Sequence, residues 1–529
     1  MELDVVIVGA GFSGLYMLHR LKKLGVSARV YEAGPSVGGT WFWNRYPGAR
    51  VDIESQEYSY SFSPELDAEW VWSERYATQP ELLRYLNHVA DRFELRDEIQ
   101  LGTRIAAAHW DEDARRWTVT TDGGETVSAR WCVMATGCLS VPKGDEFPGE
   151  REFKGPSWHT SRWPEAGVDF TGMTVAVIGT GSSAIQSIPV IASQARHVTV
   201  FQRTPNFSVP AHNGPVPADV AADWAANRAA RRAEARETGF AIRGVAMGDT
   251  PALEATPEAR KAAFEARWAY GGFALLGAYN DLIVDMAANR TAVDFMADKI
   301  RGIVNDPATA EKLIPRTYPI GAKRLCVDTG YYATFNRPNV SLVDIAEEPI
   351  EAITTAGVKT AAGEYAVDAI VYAIGFDAMT GALAKIDIRG RGGQRLSDAW
   401  AAGPRTYLGL MTAGFPNLFL VTGPGSPSVL CNMAVAIEQH VEWISDCIAW
   451  MGDRQMGAIE ASEPAQDEWV EHVNEVANGT IYPQANSWYM GANVPGRPRV
   501  FMPYIGGFPV YRDKCNEVAA SGYAGFHVA

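Results

Sequence analysis

The chain has 529 residues, more than one hydrophobic core usually supports, so at least two domains are expected. Hydrophobic residues make up 47% and charged residues 21%, as in ordinary folded proteins. The net charge of -15 and the isoelectric point near 5.2 argue against nucleic acid and anionic membranes as partners, since both would repel the chain at long range.

The first residues, MELDVVIVGAG, enter an apolar strand directly, so we expect no signal peptide. We also expect no membrane span, because no apolar run is long enough to cross a bilayer. The six cysteines are scattered and form no C-x-x-C pair, which argues against a redox dithiol and against a metal site. Free thiols in a reducing cytoplasm are the simplest interpretation.

The segment DVVIVGAGFSGLYMLHRLKKLGVSARVYEAG predicts a strand, a glycine turn, a helix and a second strand. Its turn has the G-x-G-x-x-G pattern, with glycines at Gly9, Gly11 and Gly14. The first glycine permits a tight turn, the second admits a pyrophosphate and the third lets the helix pack closely on the strand. The N-terminus of the helix would then face the phosphate charge.

Glu32 ends the second predicted strand, where a carboxylate can accept hydrogen bonds from a ribose. A glycine turn alone is weak evidence, but the strand, the helix and Glu32 together favour a dinucleotide site. Because an acid at this position disfavours a 2′-phosphate, the site fits FAD or NAD.

The same pattern returns in MTVAVIGTGSSAIQSIPVIASQARHVTVFQR, from Met173 to Arg203. Its turn runs through Gly179, Thr180, Gly181, Ser182, Ser183 and Ala184, where alanine is a permitted variant of the third glycine. Arg203 stands where the first unit has Glu32, and a cation there can bind the 2′-phosphate of NADPH. The alternative is a solvated residue at the end of a strand.

The rest of the chain adds a helical insertion, further strands and a long loop. Between Ala218 and Ala266 the composition shifts to Ala, Arg and Glu, which predicts helices of a lid or subdomain with no core of its own. WCVMATG, AIVYAIGFDA and GFPNLFLVTG predict strands that run into glycines. NSWYMGANVPGRPRVFMPYIGG has no clear period and predicts a long loop, which in a compact protein usually has a function.

These elements predict an α/β fold with two Rossmann-like dinucleotide-binding domains and a helical insertion in the second. One site for FAD and one for NADPH describe a flavoprotein that receives hydride. Disulfide reductases need a dithiol, which this sequence lacks, so molecular oxygen is the remaining common acceptor.

Two further segments carry a family resemblance. GGTWFWNRYPGARVD (Gly38 to Asp52) and FKGPSWHTSRWP (Phe153 to Pro164) resemble the two signatures of type I Baeyer–Villiger monooxygenases. The second segment matches the pattern F-x-G-x-x-x-H-x-x-x-W-P at every fixed position: Phe153, Gly155, His159, Trp163 and Pro164. The resemblance covers essentially the whole chain and is greatest to the phenylacetone monooxygenase branch. One departure is Ile374, where the family usually has threonine.

The resemblance implies an NADPH- and oxygen-dependent enzyme that converts ketones to esters or lactones through a C4a-peroxyflavin, with sulfoxidation as a side activity. A flavin-containing N- or S-monooxygenase is the alternative, disfavoured by Trp163 and Pro164, and a non-catalytic flavoprotein is a third possibility. The implied partners are a small ketone and oxygen, without nucleic acid or membrane. The implied state is a cytoplasmic monomer or weak homo-oligomer.

The resemblance also implies roles for individual residues. Arg324 matches the catalytic arginine, and Asp52 would hold its planar fork in place. As isolated residues, Lys323 and Arg324 would be interpreted as a solvated face, so their roles rest on the resemblance. The further FAD-binding positions are Gly39, Thr40, Trp41, Asp52, Ile53, Tyr58 and Met433, and those for NADPH are Arg50, Thr180, Ser182, Ser183, Gln186, Thr204, Lys323, Arg324 and Trp488. For Trp488, simple packing is an equal alternative.

The resemblance divides the chain into an FAD domain at 1–140 and 376–529 and an NADPH domain at 141–375. The insertion would span about 210–318, and a mobile loop about 484–502. His159 has no cysteine or acid partner at catalytic spacing, so metal binding and proton transfer are poor interpretations. We interpret FKGPSWHTSRWP as a stiff joint between the domains, in which a hydrogen bond from His159 couples the two.

Overall fold

The computed structural model describes residues 2–529, which form two large sheets, three small ones and the surrounding helices. The strands are β1 Glu2–Val8, β2 Ala28–Tyr31, β3 Ile99–Gln100, β4 Ile105–Asp111, β5 Arg116–Thr121, β6 Thr126–Met134, β7 Ser157–His159, β8 Thr174–Ile178, β9 His197–Gln202, β10 Ser208–Pro210, β11 Cys326–Asp328, β12 Val340–Asp344, β13 Ile350–Ile353, β14 Gly357–Thr360, β15 Gly363–Ala366, β16 Ala369–Tyr372, β17 Asp387–Arg389, β18 Leu418–Leu420, β19 Ile459–Ala461 and β20 Phe526–Val528.

The helices are α1 Phe12–Lys23, α2 Thr40–Trp43, α3 Pro64–Glu69, α4 Gln79–Arg92, α5 Ser182–Gln194, α6 Ala218–Arg236, α7 Pro257–Tyr270, α8 Met286–Ile303, α9 Pro307–Leu313, α10 Tyr331–Thr334, α11 Gly381–Ala384, α12 Leu396–Ala399, α13 Met433–Asp453, α14 Glu463–Asn478 and α15 Phe508–Ala520. Across residues 2–529, no helix combines the length and the apolar character needed to cross a membrane. All six cysteines are buried and free.

The first large sheet has the order β17-β4-β5-β6-β1-β2-β3, with β18 also paired to β6. Its centre is parallel, since β1 pairs in parallel with both β2 and β6. Val5, Val6 and Ile7 of β1 are fully buried, as expected for a strand covered on both faces. The strands predicted at the first glycine turn, at WCVMATG and at NLFL are confirmed.

The second large sheet is entirely parallel, with the order β12-β9-β8-β16-β7. It contains the second predicted strand–turn–helix–strand unit as β8, α5 and β9. AIVY forms β16, next to β8. The two-domain α/β fold predicted from the sequence is confirmed by these two sheets.

The insertion between the strands of the second sheet is not the separate lid or subdomain that its composition predicts. Helix α6 buries only Trp224 and Ala235, in keeping with its Ala, Arg and Glu content. Phe264 and Leu275, however, belong to the same apolar core as Leu15 of α1. Ile242 and Val245, in the middle of the stretch that the composition singled out, belong to this core as well. The insertion therefore packs into the core around the first sheet.

The chain passes between the two large sheets twice, and the two connections pair with each other. The Asp377 N–H donates to the Val141 carbonyl at 2.8 Å, and the Lys143 N–H donates to the Gly375 carbonyl at 3.3 Å. Pro142 and Phe376 form an antiparallel bridge between these contacts. Both connections leave from the carboxyl ends of parallel strands, β6 and β16, which is the edge of such sheets at which ligands bind.

Candidate functional site

The first glycine turn joins β1 to α1 at very close range. A Cβ atom added to Gly14 would lie 1.8 Å from the Gly9 carbonyl oxygen, so only glycine allows this approach of helix and turn. Helix α1 begins after Gly11 without a side-chain cap. Its first N–H groups are therefore free to bind an anion such as a pyrophosphate.

We expect Gly14→Ala to weaken FAD binding. The added methyl would push α1 away from the turn, and overpacking of this kind costs about 1–3 kcal/mol, or about 5- to 150-fold in the dissociation constant. Titrating apoprotein with FAD would measure the change. Ala184 occupies the equivalent place in the second turn, so Ala184→Gly is the matched control and should leave FAD affinity unaltered. Equal FAD affinity of Gly14→Ala and the unsubstituted protein would contradict the prediction.

Glu32 ties the end of β2 to the first turn. Its two carboxylate oxygens accept one bond each, from the Ala10 N–H and the Gly34 N–H, both at 2.7 Å. Burial raises the pKa of Glu32, and the two N–H donors oppose this by stabilising the carboxylate. Each oxygen keeps a free lone pair, which suits the ribose contact predicted from the sequence.

The other predicted FAD positions lie around the same turn. An added Cβ on Gly39 would lie 2.9 Å from the Gly11 Cα, so the first signature packs directly on the turn. Trp41 is buried, and its indole N–H donates to the Tyr58 hydroxyl at 3.4 Å. Beyond these, Thr40 begins α2, Ile53 is buried, and Met433 begins α13. The preceding Asn432 side chain donates to the Glu57 carbonyl at 2.8 Å, which places Met433 near Tyr58.

Asp52 and Arg324, which are 272 residues apart in the chain, form a bidentate ion pair. Arg324 Nε donates to Asp52 Oδ2 at 3.0 Å, and Nη2 donates to Oδ1 at 2.8 Å. Both side chains remain about a quarter exposed, at 24% and 26%. Burial lowers the pKa of Arg324, but the charge and hydrogen bonds of Asp52 and Tyr489 together outweigh burial and raise the pKa above its ordinary value. The guanidinium is therefore a permanent and oriented positive charge.

Three further residues hold Arg324, and the sequence singled out none of them. The Val429 carbonyl accepts from Nη1 at 2.7 Å, and the Phe273 ring lies 4.6 Å from the guanidinium carbon. The Tyr489 hydroxyl faces the guanidinium, while burial raises the pKa of this tyrosine to about 12. Phe273 comes from the insertion and Tyr489 from the late loop. The only signal in the sequence was that Tyr489 lies in the Gly/Pro-rich aromatic loop, which was predicted to have a function.

Trp488, which was the residue predicted from this loop, lies beside Tyr489. Its ring is 4.3 Å from the Tyr489 ring, and it is half-buried in an apolar cluster with Met433 and Val500. Tyr489 is only 1% exposed. In this conformation Tyr489 faces Arg324, and Trp488 packs behind it.

The second glycine turn repeats the geometry of the first. An added Cβ on Gly179 would lie 2.4 Å from the Ala373 carbonyl oxygen, whereas one on Gly181 would meet nothing within 4 Å. Helix α5 starts at Ser182 without a side-chain cap, with Ser183 as its second residue. The Thr180 hydroxyl donates to the Thr204 carbonyl at 2.9 Å, which fixes the end of β9 against the turn. This turn also fits a dinucleotide.

Arg203 and Lys323 lie close together beside this turn. Burial and the charge of Arg203 both lower the pKa of Lys323. The Lys323 ammonium lies 4.5 Å from the centre of the Tyr318 ring. Within residues 2–529, neither cation forms an ion pair with a carboxylate. Two adjacent, unneutralised cations suit an anion such as a 2′-phosphate.

Gln186 and Arg50, both predicted to bind NADPH, join the two domains in this structure. The Gln186 side chain accepts from the Tyr46 hydroxyl at 2.9 Å and donates to the Arg50 carbonyl at 3.1 Å. Arg50 Nη1 donates to Glu74 at 3.1 Å. An added Cβ on Gly48 would lie 2.3 Å from the Gln186 carbonyl oxygen, so the first signature rests directly on α5.

The second signature belongs to the second sheet. Residues 157–159 form its edge strand β7, Gly155 packs on the Asp368 carbonyl, and Trp163 is buried. Phe153 packs on the opposite face of this sheet, and Pro164 follows Trp163. The signature therefore forms a folded edge of the second sheet.

The expected interdomain hydrogen bond of His159 is not present. His159 Nδ1 accepts from the Ser161 N–H at 3.2 Å, and Nε2 is buried without a partner. Burial lowers the pKa of His159 to about 4. Near this segment, a contact across the domains is made instead by Glu165, one residue beyond the signature, which pairs with Arg45 at 2.7 Å. The predicted hydrogen bond is therefore wrong for His159, and this contact lies just outside the predicted segment.

Comparison with known proteins supports the same organisation. Residues 6–216 match the family "Pyridine nucleotide-disulphide oxidoreductase". A Baeyer–Villiger monooxygenase of Pseudooceanicola batsensis is 41% identical over 99% of this chain and 95% of its own. The phenazine N-monooxygenase PhzNO1 of Lysobacter antibioticus is 42% identical over 99% of this chain and 97% of its own. The solved structure of an oxidized steroid monooxygenase bound to NADP superimposes with a TM-score of 0.96, at 52% identity, over 100% of this chain and 99% of that one.

Proposed function

The chain belongs to the flavin-dependent Baeyer–Villiger monooxygenases, and we propose from this how its own residues convert a ketone into an ester or a lactone. As a member of the family it is an FAD- and NADPH-dependent enzyme. NADPH supplies two electrons, one atom of O2 enters the ester beside the carbonyl carbon, and the other leaves as water. FAD, when bound and reduced, supplies the electrons that activate oxygen.

The observation that carries the proposal is the bidentate pair of Asp52 and Arg324. Negative charge develops on the carbonyl oxygen when a ketone is attacked, and a fixed cation stabilises it more in the transition state than in the ground state. Arg324 cannot lose its proton, and Asp52 fixes its plane, so the charge is oriented before the ketone arrives. The Arg324 side chain is 24% exposed, so it is not sealed off from an approaching ketone.

The glycine turns support the placement of the two cofactors. The first turn, Glu32 and the segment from Gly39 to Ile53 would hold FAD, with Trp41, Tyr58 and Met433 against its ring. The second turn would hold the pyrophosphate of NADPH, and Arg203, Thr204 and Lys323 its 2′-phosphate. We assign the FAD domain to 1–140 and 376–529 and the NADPH domain to 141–375, with the insertion at about 210–318.

We also propose that the loop at about 484–502 closes the site. The Asn493 side chain donates to the Phe376 carbonyl at 2.6 Å, and Arg497 pairs with Asp377 at 2.6 Å. Both partners lie in the second connection between the domains. The loop in this position therefore contacts that connection and places Tyr489 next to Arg324. Such closure would exclude water from the site.

The proposed conversion is tested with the purified FAD-containing protein, NADPH, air and a panel of aryl, linear and cyclic ketones. We expect an ester or lactone from at least one ketone, with one NADPH consumed per product. NADPH consumption that yields only hydrogen peroxide from every ketone would contradict the proposed function.

Oxidation of nitrogen is a second candidate, because the similar phenazine N-monooxygenase acts at nitrogen. The same assay with aromatic amines, N-heterocycles and sulfides separates the two. The complete second signature favours ketones, and sulfoxidation is expected as a side activity. N-oxide formation without any ester would favour this candidate. We infer that the enzyme is cytoplasmic and monomeric or weakly associated; the free, buried cysteines suit a reducing compartment.

A further inference from the structure

Lys143 lies in the first connection between the domains, directly beside the second glycine turn. Its N–H donates to the Gly375 carbonyl at 3.3 Å. Two residues before Gly375, Ala373 packs against Gly179 of the turn, and its N–H donates to the Ile178 carbonyl at 2.9 Å. The backbone of Lys143 is therefore fixed at the carboxyl edge of the second sheet.

Arg203 lies at the same edge of the second sheet as Lys143, on the other side of the turn. It follows β9, and the bond from Thr180 to the Thr204 carbonyl holds that strand end against the turn. In the strand order, β9 and β16 flank β8, so Arg203 and Lys143 lie on the two sides of the strand that leads into the turn. Lys323 is the third cation of the group.

Arg203 lies close enough to both lysines to affect them. Burial and the charge of Arg203 lower the pKa of Lys143, as they do for Lys323. The Lys143 side chain is only 11% exposed, so its ammonium is largely removed from water. Its carboxylate partner is Glu146, three residues on in the same connection. Among Lys143, Arg203 and Lys323, only Lys143 forms an ion pair with a carboxylate in residues 2–529.

We propose that Lys143 is a third cation of the site that binds the 2′-phosphate of NADPH, with Glu146 as its counter-ion until the phosphate arrives. The inference rests on the proposed function, because it takes the second turn as the NADPH site. A phosphate that carries close to two negative charges and three strong acceptor oxygens can engage more than one cation, whereas Glu146 offers a single charge. The connection between the domains then contributes directly to the choice of NADPH over NADH.

The experiment measures binding of NADP⁺ and NAD⁺ to the oxidised, FAD-containing protein by calorimetry, without ketone. We expect Lys143→Gln to weaken NADP⁺ binding about tenfold, as for loss of one charged hydrogen bond, and to leave NAD⁺ binding unchanged. Glu146→Gln should bind NADP⁺ at least as tightly as the unsubstituted protein, because it removes the competing carboxylate. Lys154→Gln is the matched control in the same connection, since Lys154 is exposed, and it should change neither affinity.

The outcomes separate this proposal from the proposed function. If the unsubstituted protein binds NADP⁺ and Lys143→Gln binds it within twofold, the role of Lys143 is wrong and the proposed function stands. A parallel loss of NAD⁺ affinity would show a general disturbance of the turn and would also overturn the role. Lys143→Arg keeps the charge and should restore NADP⁺ affinity even if the glutamine variant folds poorly; failure of both would refute the proposal. No NADP⁺ binding by the unsubstituted protein would refute the NADPH site itself.

Discussion

Arg324→Ala is expected to keep the reduction of FAD by NADPH and to lose ester formation. Hydride transfer to the flavin needs the two cofactors side by side, whereas attack on the ketone needs a positive charge at the carbonyl oxygen. Removing one such stabilising group typically costs about 10²- to 10³-fold in kcat. The loss here should be at least this large, because the substitution also leaves Asp52 as an uncompensated negative charge beside the developing one.

Two measurements separate the steps. Anaerobic mixing with NADPH and following the flavin absorbance gives the reduction rate, which should stay within about an order of magnitude. Product analysis in air gives ester formation, which should fall below detection while NADPH is still consumed. Arg324→Lys keeps a charge but cannot reproduce the bidentate fork with Asp52, so it should recover little activity. Ester formation at the ordinary rate by Arg324→Ala would remove Arg324 from the reaction.

Asp52 provides an independent check on the same pair. Asp52→Asn keeps the size of the side chain and removes the charge that orients Arg324. We expect it to lower ester formation less severely than Arg324→Ala, because Val429 and Phe273 still hold the guanidinium. Arg512→Ala is the matched control, since Arg512 pairs with Glu237 far from the turns in sequence and should leave activity unchanged.

The parts of the fold predicted from the sequence are those that depend on local requirements. Gly14 must be glycine because a neighbouring carbonyl occupies the place of its Cβ, and that requirement is visible in the local pattern. Parallel strands buried on both faces, such as β1 and β8, are likewise visible as short apolar runs. The packing of the insertion was harder to predict from the sequence. Phe264 and Leu275 are buried against residues that are far away in the chain.

The arrangement of the site was predictable only where the family resemblance indicated which distant residues, such as Asp52 and Arg324, form a pair. Nothing local connects Asp52 with Arg324, and no periodicity could show that Tyr489 faces Arg324 while its neighbour Trp488 packs behind. Gln186 lies in α5, two residues after the second turn, yet its side chain bonds to the first signature. His159 is a similar case: its residue type suggested a coupling bond, but only the fold shows that Ser161 occupies its Nδ1 and that Glu165 makes a contact between domains.

The largest effect on stability is expected from Arg232, which clamps the insertion to the first sheet's domain. On α6, it donates through Nε and Nη2 to Asp67 at 2.8 and 2.9 Å, and through Nη2 to the Ser59 hydroxyl and the Tyr60 carbonyl. Arg232 and Asp67 are only 10% and 9% exposed. Arg232→Ala would leave Asp67 buried without its partner, at a cost of about 3–5 kcal/mol.

Because Ser59 and Tyr60 directly follow Tyr58, loss of the Arg232 clamp should also loosen the FAD site. The release of flavin fluorescence on heating reports both effects, and we expect Arg232→Ala to release FAD several degrees earlier. The neighbouring Arg231 is the matched control: it forms an exposed pair with Asp223, so Arg231→Ala should leave the release temperature unchanged. Replacing Arg232 and Asp67 together with methionine and leucine should recover most of the loss, because no buried charge is then left unpaired. If the double variant releases FAD as early as Arg232→Ala, the unpaired charge of Asp67 is not the cause of the loss.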